Sequence, residues 1–367
     1  MSAARWRRAM ATGSPASGRM QPASTRAAPQ VSTAPVDPRG WLQRSVEGLA
    51  WRHVVVLLAV AVFPFVATPF ITFQVAAQSL VLGLIALSLS FLAGYGGMVS
   101  LAQMTVAGIA GYAMAVLGTS SSAEISLGWP WWVAVPFAVL IATVCSALIG
   151  WLSVRTEGIY TIMITLAIGV AFYYVVLQNY SVFNGFQGLR ELKAPTVWGV
   201  NLRAPVPYYF MCLFWALAGY FLVRYVVRAP FGIALQGIRD NPRRMAALGY
   251  HVVAHRVAAY ALSGLIASVG GILLAWYNAL MSPGSVGTGW LINILVIAVL
   301  GGLKHPLGAF LGALVFVLLQ TFAIDVIDRE RFNLVIGSVF LAIVLFSPDG
   351  LLGLWAKLRS RFQPGRP

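Results

Sequence analysis

Residues 232–250 read GIALQGIRDNPRRMAALGY. The stretch carries a full set of short-helix signals. Asn241 can cap a helix, Pro242 suits its first position, and Gly249 suits its end. Arg239, Asp240, Arg243 and Arg244 make the stretch polar, and Met245, Ala246, Ala247 and Leu248 form the body of the helix. On either side lie apolar runs, 206–227 and 257–280, long enough to cross a hydrocarbon layer of roughly 30 Å. The segment is therefore a capped polar helix held in water between two membrane crossings. Its small alanines between Met245 and Leu248 fit two physical roles. One is insertion into a groove on a partner protein. The other is rest on lipid headgroups.

The rest of the chain agrees with a membrane setting. Of 367 residues, 59% are hydrophobic and 10% charged, and the mean hydropathy is +0.81. A water-soluble protein of this size needs more surface charge. Apolar runs predict ten spans at 54–73, 76–93, 99–118, 131–153, 159–178, 206–227, 257–280, 290–303, 307–323 and 332–348. The runs at 290–303 and 307–323 are short, and fit either a broken pair or one element interrupted at Lys304-His305-Pro306. A β-barrel would alternate in polarity over roughly ten-residue segments, and no such pattern is present. The expected fold class is an all-α polytopic membrane protein with about ten transmembrane helices and both termini cytoplasmic.

Charge supports the even count. With the amino terminus inside, 20 of the 25 basic residues fall on the cytoplasmic side, and the acids divide five and five. This is the positive-inside bias. It accounts for the net charge of +15 through anionic lipid headgroups, without a nucleic-acid partner. Residues 1–53 form an expected disordered basic cytoplasmic tail, 54–350 one transmembrane domain with a polar loop at 228–256, and 351–367 a basic carboxy-terminal tail. The first tail is rich in Ala, Ser, Pro and Arg and lacks the apolar core of a signal peptide. The outer loops are short apart from 182–205, which carries the turn-prone Asn184, Gly185, Gln187 and Gly188.

Polar groups inside the apolar runs are the candidates for a pathway. Gly94, Gly96 and Gly97 separate the second and third runs, followed by Ser100, Gln103 and Thr105. Such a junction serves either as a pathway lining at Gly94, Gly97, Ser100 and Gln103 or as close helix packing at small residues. Thr161, Thr165, Gln178, Asn278, Asn293 and Gln320 lie in later runs. Thr165 and Asn293 join the candidate pathway, with an interhelical hydrogen bond as the other reading of Asn293. No clear ionisable residue falls at mid-membrane, which disfavours a proton relay. Gly308 and Gly312 are spaced four apart, a close-packing face. Cys145 and Cys212 read as small buried hydrophobes, and no metal-ligand spacing occurs. The phosphate-loop, nucleophile-elbow and zinc-helix patterns are absent, so neither catalysis nor ATP hydrolysis is expected of this chain.

Five stretches in order resemble the LivM-type permeases of branched-chain amino acid ABC importers. They are LSLSFLAGYGGMVSLAQMTVAGIAGY, GIYTIMITLAIG with the later NGFQGL, FGIALQGIRDNPRRMAALGYHV, LINILVIAVLGGLKHPLGAFLGAL and LFSPDGLLGL. The resemblance covers about residues 76–353. It implies a LivH-type second permease, two ABC ATPase subunits that hold ATP and Mg, and a periplasmic or extracellular substrate-binding protein. It also implies the bacterial inner membrane. Arg239, Asp240, Asn241, Pro242, Arg243, Arg244, Met245, Ala246, Ala247, Leu248 and Gly249 would then be the ATPase-coupling segment. Two departures stand out: Met245 sits near the place of an acid that often opens the coupling motif, and Asn293 falls where such permeases often carry an acid. The implied cargo is a branched-chain amino acid or a related small polar solute such as urea, an amide or an aromatic acid. The competing readings are a stand-alone ion-coupled secondary transporter and an intramembrane enzyme or scaffold.

Overall fold

The structure, a computed structural model, describes residue 60 and residues 62–326 apart from 121–124, 157 and 198, together with residues 337, 338, 341, 350, 351 and 353. Most of the expected span 332–348, the first residues of 54–73 (54–59 and 61) and nearly all of both tails lie outside the described residues.

Ten helices of six residues or more, from Ile71 onward, organise the described chain. They are α1 (Ile71–Gly96), α2 (Gln103–Leu117), α3 (Trp131–Ser153), α4 (Ile159–Gln178), α5 (Pro205–Arg228), α6 (Pro230–Asp240), α7 (Pro242–Ala247), α8 (Val252–Asn278), α9 (Thr288–Gly301) and α10 (Pro306–Val326). Among the described residues, α1, α3, α4, α5 and α8 are each long and apolar enough to cross a membrane. The pair α9–α10, bent by 117°, is a sixth crossing if taken as one span. The expected spans 131–153 and 159–178 coincide with α3 and α4.

Two expectations need correction, and one alternative is decided. The second span begins at Ile71, not 76, and its first turns, Ile71–Ala77, are a π-helix. The chain breaks earlier, at 67–68, where the Thr68 hydroxyl accepts from the Ile71 N–H at 3.4 Å. The third span does not begin at 99, because residues 97–100 are not helical and α2 starts only at Gln103. The two runs at 290–303 and 307–323 are a broken pair, which selects one of the two sequence readings. At the bend, a Cβ on Gly301 would strike the Gly308 carbonyl, so the two helix ends approach to backbone contact.

Burial separates centre from rim. The apolar window of α1 is 89% buried and that of α8 67%, against 33% in α3 and 22% in α4 and α5. The first two are therefore core and the others lipid-facing or partner-facing. Since lipid tails are as apolar as leucine, small-residue packing and hydrogen bonds hold such a bundle together. Helix α3 makes the logic visible. Ala134, Ala138, Ala142 and Ser146 repeat every four residues and are buried, while Phe137, Leu140, Val144 and Leu148 face outward. The small stripe lies on α8, where the Ser146 hydroxyl donates to the Tyr260 carbonyl at 2.7 Å. Helices α2 and α8 also approach closely: a Cβ on Gly271 would strike the Ala107 carbonyl. Gly271→Leu should therefore force these helices apart and cost on the order of 3 kcal/mol. We expect severalfold less folded protein in the membrane, checked by fluorescence-detected size-exclusion of the tagged chain.

At the end of the bundle away from α7, the loop between α4 and α5 is ordered. Asn179 caps the turn Tyr180–Phe183 by accepting from the Val182 N–H at 3.0 Å. Strand β1 (Leu189–Arg190) pairs antiparallel with β4 (Leu280–Met281), in register Leu189 to Met281. Strands β2 (Thr196–Val197) and β3 (Val200–Asn201) form a second small antiparallel pair.

Candidate coupling and translocation site

The signals in 241–249 all find their expected places. The Asn241 side-chain oxygen accepts from the Arg244 N–H at 2.9 Å, and Pro242 opens α7. The helix closes with the Gly249 N–H donating to the Ala246 carbonyl at 3.0 Å and the Tyr250 N–H to the Met245 carbonyl at 3.1 Å. Gly249 holds φ at +90°, a conformation that favours glycine. Arg243, Arg244, Ala246, Ala247 and Leu248 are exposed, and Leu248 keeps 67% of its surface open. Met245 turns inward and packs on Gly237 of α6. Asn241→Ala should remove the cap and about 1 kcal/mol of local helix stability. Faster amide exchange confined to residues 242–249 would register that change.

Sequence reading missed α6. It is amphipathic, with Ala234, Leu235 and Ile238 buried, and begins with Pro230 in its first turn. That proline and the apolar spacing were the available signals. Helix α6 matters because its last turn carries Arg239. The Arg239 Nη1 donates to the Gly94 carbonyl at 2.6 Å, while the same guanidinium pairs with Asp240 at 2.9 Å. Its aliphatic stem lies over Gly97, where an added Cβ would approach Arg239 Cγ to 2.5 Å. Two groups of candidates remote in sequence thus meet, with Arg239 fastening the α6–α7 unit to the glycine-rich junction at 94–97. The α9–α10 bend joins them. A Cβ on Gly94 would strike the Leu303 carbonyl, and the Tyr95 hydroxyl donates to the Lys304 carbonyl at 3.3 Å.

From this end the chain turns inward as unwound backbone before α2 begins. Non-helical backbone at such depth needs its polar groups satisfied by protein. The Thr165 hydroxyl accepts from the Leu101 N–H at 3.1 Å, and the Ser100 hydroxyl from the Ala102 N–H at 3.3 Å. Gln103, the first residue of α2, is 1% exposed. Its Oε1 lies 3.0 Å from both the Ser88 hydroxyl of α1 and the Ser263 hydroxyl of α8. Those hydroxyls also lie 2.6 Å from the Ile85 carbonyl and 2.8 Å from the Ser88 carbonyl, respectively. A three-helix polar junction results, and the Gln103 Nε2 has no partner in it. Ser88 and Ser263 were not singled out from sequence, since a serine in an apolar run does not announce its partner.

The structure thus gathers Ser100, Gln103 and Thr165 around the start of α2 and sets Gly94 and Gly97 beside Arg239. Asn293 stands apart, half-buried on α9 and without a side-chain hydrogen bond among the described residues. No interhelical bond to Asn293 forms among the described residues. Among the described residues no cluster of His, Cys, Asp or Glu is arranged to hold a metal ion.

Buried central helices, lipid-facing outer helices and a capped helix fastened to the core define a multi-pass membrane protein of the permease type. The chain belongs to the family described as branched-chain amino acid transport system / permease component, which matches residues 71–344. That span contains every candidate coupling and pathway residue. Among curated relatives, the high-affinity branched-chain amino acid transport system permease protein LivM of Salmonella typhimurium is 23% identical over 84% of this chain and 77% of its own length. The ribose import permease protein RbsC of Haemophilus influenzae is 21% identical over 66% of this chain and 76% of its own. The probable branched-chain amino acid transport permease protein LivH of Methanocaldococcus jannaschii is 30% identical over 39% of this chain and 47% of its own. No solved structure matches the chain.

Proposed function

We propose that this chain is a permease subunit of an ATP-driven importer in the bacterial inner membrane. It moves branched-chain amino acids or a related small polar solute into the cytoplasm. The observation that carries the reading is the family match across 71–344, which takes in the α6–α7 unit and the junction it grips. Relatives named for amino acids, ribose and autoinducer 2 support a small polar cargo. In this reading α7 faces the cytoplasm and seats its exposed Ala246, Ala247 and Leu248 in a groove of an ATPase subunit. ATP and Mg are held by two such subunits, a second LivH-type permease completes the membrane unit, and a periplasmic binding protein delivers the solute. Motion of the ATPases shifts α7 as a rigid body. Met245 on Gly237 passes the shift to α6, and Arg239 passes it to Gly94 and the start of the pathway. Pathway residues Ser100, Gln103 and Thr165 then alternate between outward and inward exposure.

The test is purification of the tagged chain from native membranes followed by mass spectrometry and reconstitution. Recovery of an ATPase, a second permease and a binding protein, with ATP-dependent uptake of leucine or of a ligand of that binding protein, is the expected result. A chain that comes out alone, and transports on an ion gradient after ATP depletion, would overturn the reading.

A further inference from the structure

We infer that the first turn of α2 is a subsite for a carboxylate of the transported solute. The inference rests on the importer reading and names the chemistry of its pathway. Ser88 lies eight residues before the end of α1 and Ser263 eleven residues into α8, so the start of α2 sits about 12–16 Å inside the bundle. Helix α2 is therefore a discontinuous helix whose amino-terminal end opens at membrane depth. Its carboxy-terminal half contributes no charge, and no acid or base lies in its sequence.

Backbone donors of the first turn are available there. The Leu101 and Ala102 N–H groups are taken by Thr165 and Ser100, and the Val106 N–H by the Ala102 carbonyl. The N–H groups of Gln103, Met104 and Thr105 fall in the first turn, where helix geometry leaves donors without intrahelical partners. One of them closes the turn at 101–102 loosely on the Ser100 carbonyl, none makes a well-formed hydrogen bond to an acceptor among the described residues, and all three side chains are 1% exposed. Parallel N–H groups and the positive end of the helix dipole together select an anion.

An independent observation marks the same turn. The Gln103 amide is pinned at one end by Ser88 and Ser263 and bare at the other. The Thr105 hydroxyl is also buried without a partner. One end of the Gln103 amide is bare whichever way it is turned, because the serine hydrogens can go to it or to the Ile85 and Ser88 carbonyls. A carboxylate at the helix end selects the orientation with NH2 free, and would accept from it. Leaving such groups unpaired in the core costs on the order of 1–3 kcal/mol each, so the arrangement is one that a ligand completes. The wall over the site is α4, whose Gly169 packs on Thr105 and which is one of the least-buried helices. Withdrawal of α4 would open the turn.

The experiment places a thiol there. Thr105→Cys is introduced into a chain whose Cys145 and Cys212 are alanine, and the whole co-purified complex is reconstituted in nanodiscs. Labelling by anionic and cationic methanethiosulfonates is measured, each rate divided by that for a free thiol. Under ATP turnover we expect the anionic reagent to be favoured roughly tenfold, protection by leucine, and none by leucinol, its alcohol. Gln103→Leu should reduce both the preference and the protection. ATP-dependent labelling without anion preference, or equal protection by the two solutes, overturns the subsite while leaving the importer reading standing. No labelling under turnover, in a complex that still transports, also overturns it. Anion preference and leucine protection without any ATP dependence would keep the subsite and sink the ATP-driven reading instead.

Discussion

Arg239→Met is expected to lower ATP-driven uptake at least about tenfold, which is about 1.4 kcal/mol of coupling energy, while ATP hydrolysis by the assembled complex stays within about twofold of the parent. Methionine keeps an unbranched stem over Gly97 and deletes only the charged head. What is lost is the hydrogen bond to the Gly94 carbonyl at 2.6 Å, across 145 residues of sequence, together with the exposed ion pair to the adjacent Asp240. Bonds from a charged donor contribute roughly 1.5–3 kcal/mol when shielded and less when wet, and the Arg239 side chain is 37% exposed. The expected loss therefore sits at the low end of that range. Uptake and hydrolysis measured together in proteoliposomes decide the matter. Parallel loss of both would indicate failed assembly. Unchanged uptake at normal abundance would mean that Arg239 does not transmit the stroke.

Gly249→Pro should act more drastically on the same path, with uptake falling to background. Proline fixes φ near −65°, whereas Gly249 stands at +90°. It also deletes the N–H that closes α7 on the Ala246 carbonyl. The preceding Leu248, at φ −81° and ψ 3°, holds a conformation disfavoured before proline. The last turn of α7 would have to open, and with it the exposed Ala246–Leu248 face. Gly249→Asn is the control, since asparagine tolerates left-handed backbone better than other non-glycine residues. It should keep most of the uptake. Equal transport by the proline variant, at equal membrane abundance, would remove α7 from the coupling path. Because no charged or catalytic group is altered, the contrast between proline and asparagine reads backbone geometry alone.

The two substitutions interrogate different parts of one lever. In the proposed mechanism Gly249 shapes the surface that a partner would grip, and Arg239 would join that lever to the core. The α9–α10 bend adds a second attachment through Tyr95 and Lys304, so in that mechanism a stroke arriving at Gly94 would reach two helix ends at once.

Local chemistry determined much of this from sequence alone. Asn241, Pro242 and Gly249 place α7 because capping and positive φ depend on residues a few positions apart. Long apolar runs gave α3 and α4 their bounds, since a bilayer sets the length of what crosses it. Helix α6 escaped notice because it follows α5 with only Ala229 between them, and its proline, glycines and charges read as polar loop. The late start of α2 was hidden for another reason. Residues 97–102 are apolar enough to continue a span, and only hydroxyls brought from elsewhere, above all Thr165, make unwound backbone tolerable there.

What only the tertiary structure decided is which polar groups meet. A helix that is apolar on every side carries no stripe to say which face looks inward, so the buried sides of α1 and α2 could not be read from their periodicity. The bond from Arg239 to Gly94 and the junction of Ser88, Gln103 and Ser263 join residues 145 and up to 175 positions apart. Such pairs are chosen by packing of the whole bundle, where small residues let backbones close and each buried donor must find an acceptor. The sequence supplied the parts of the lever and its caps; the fold alone determined what the lever is fastened to.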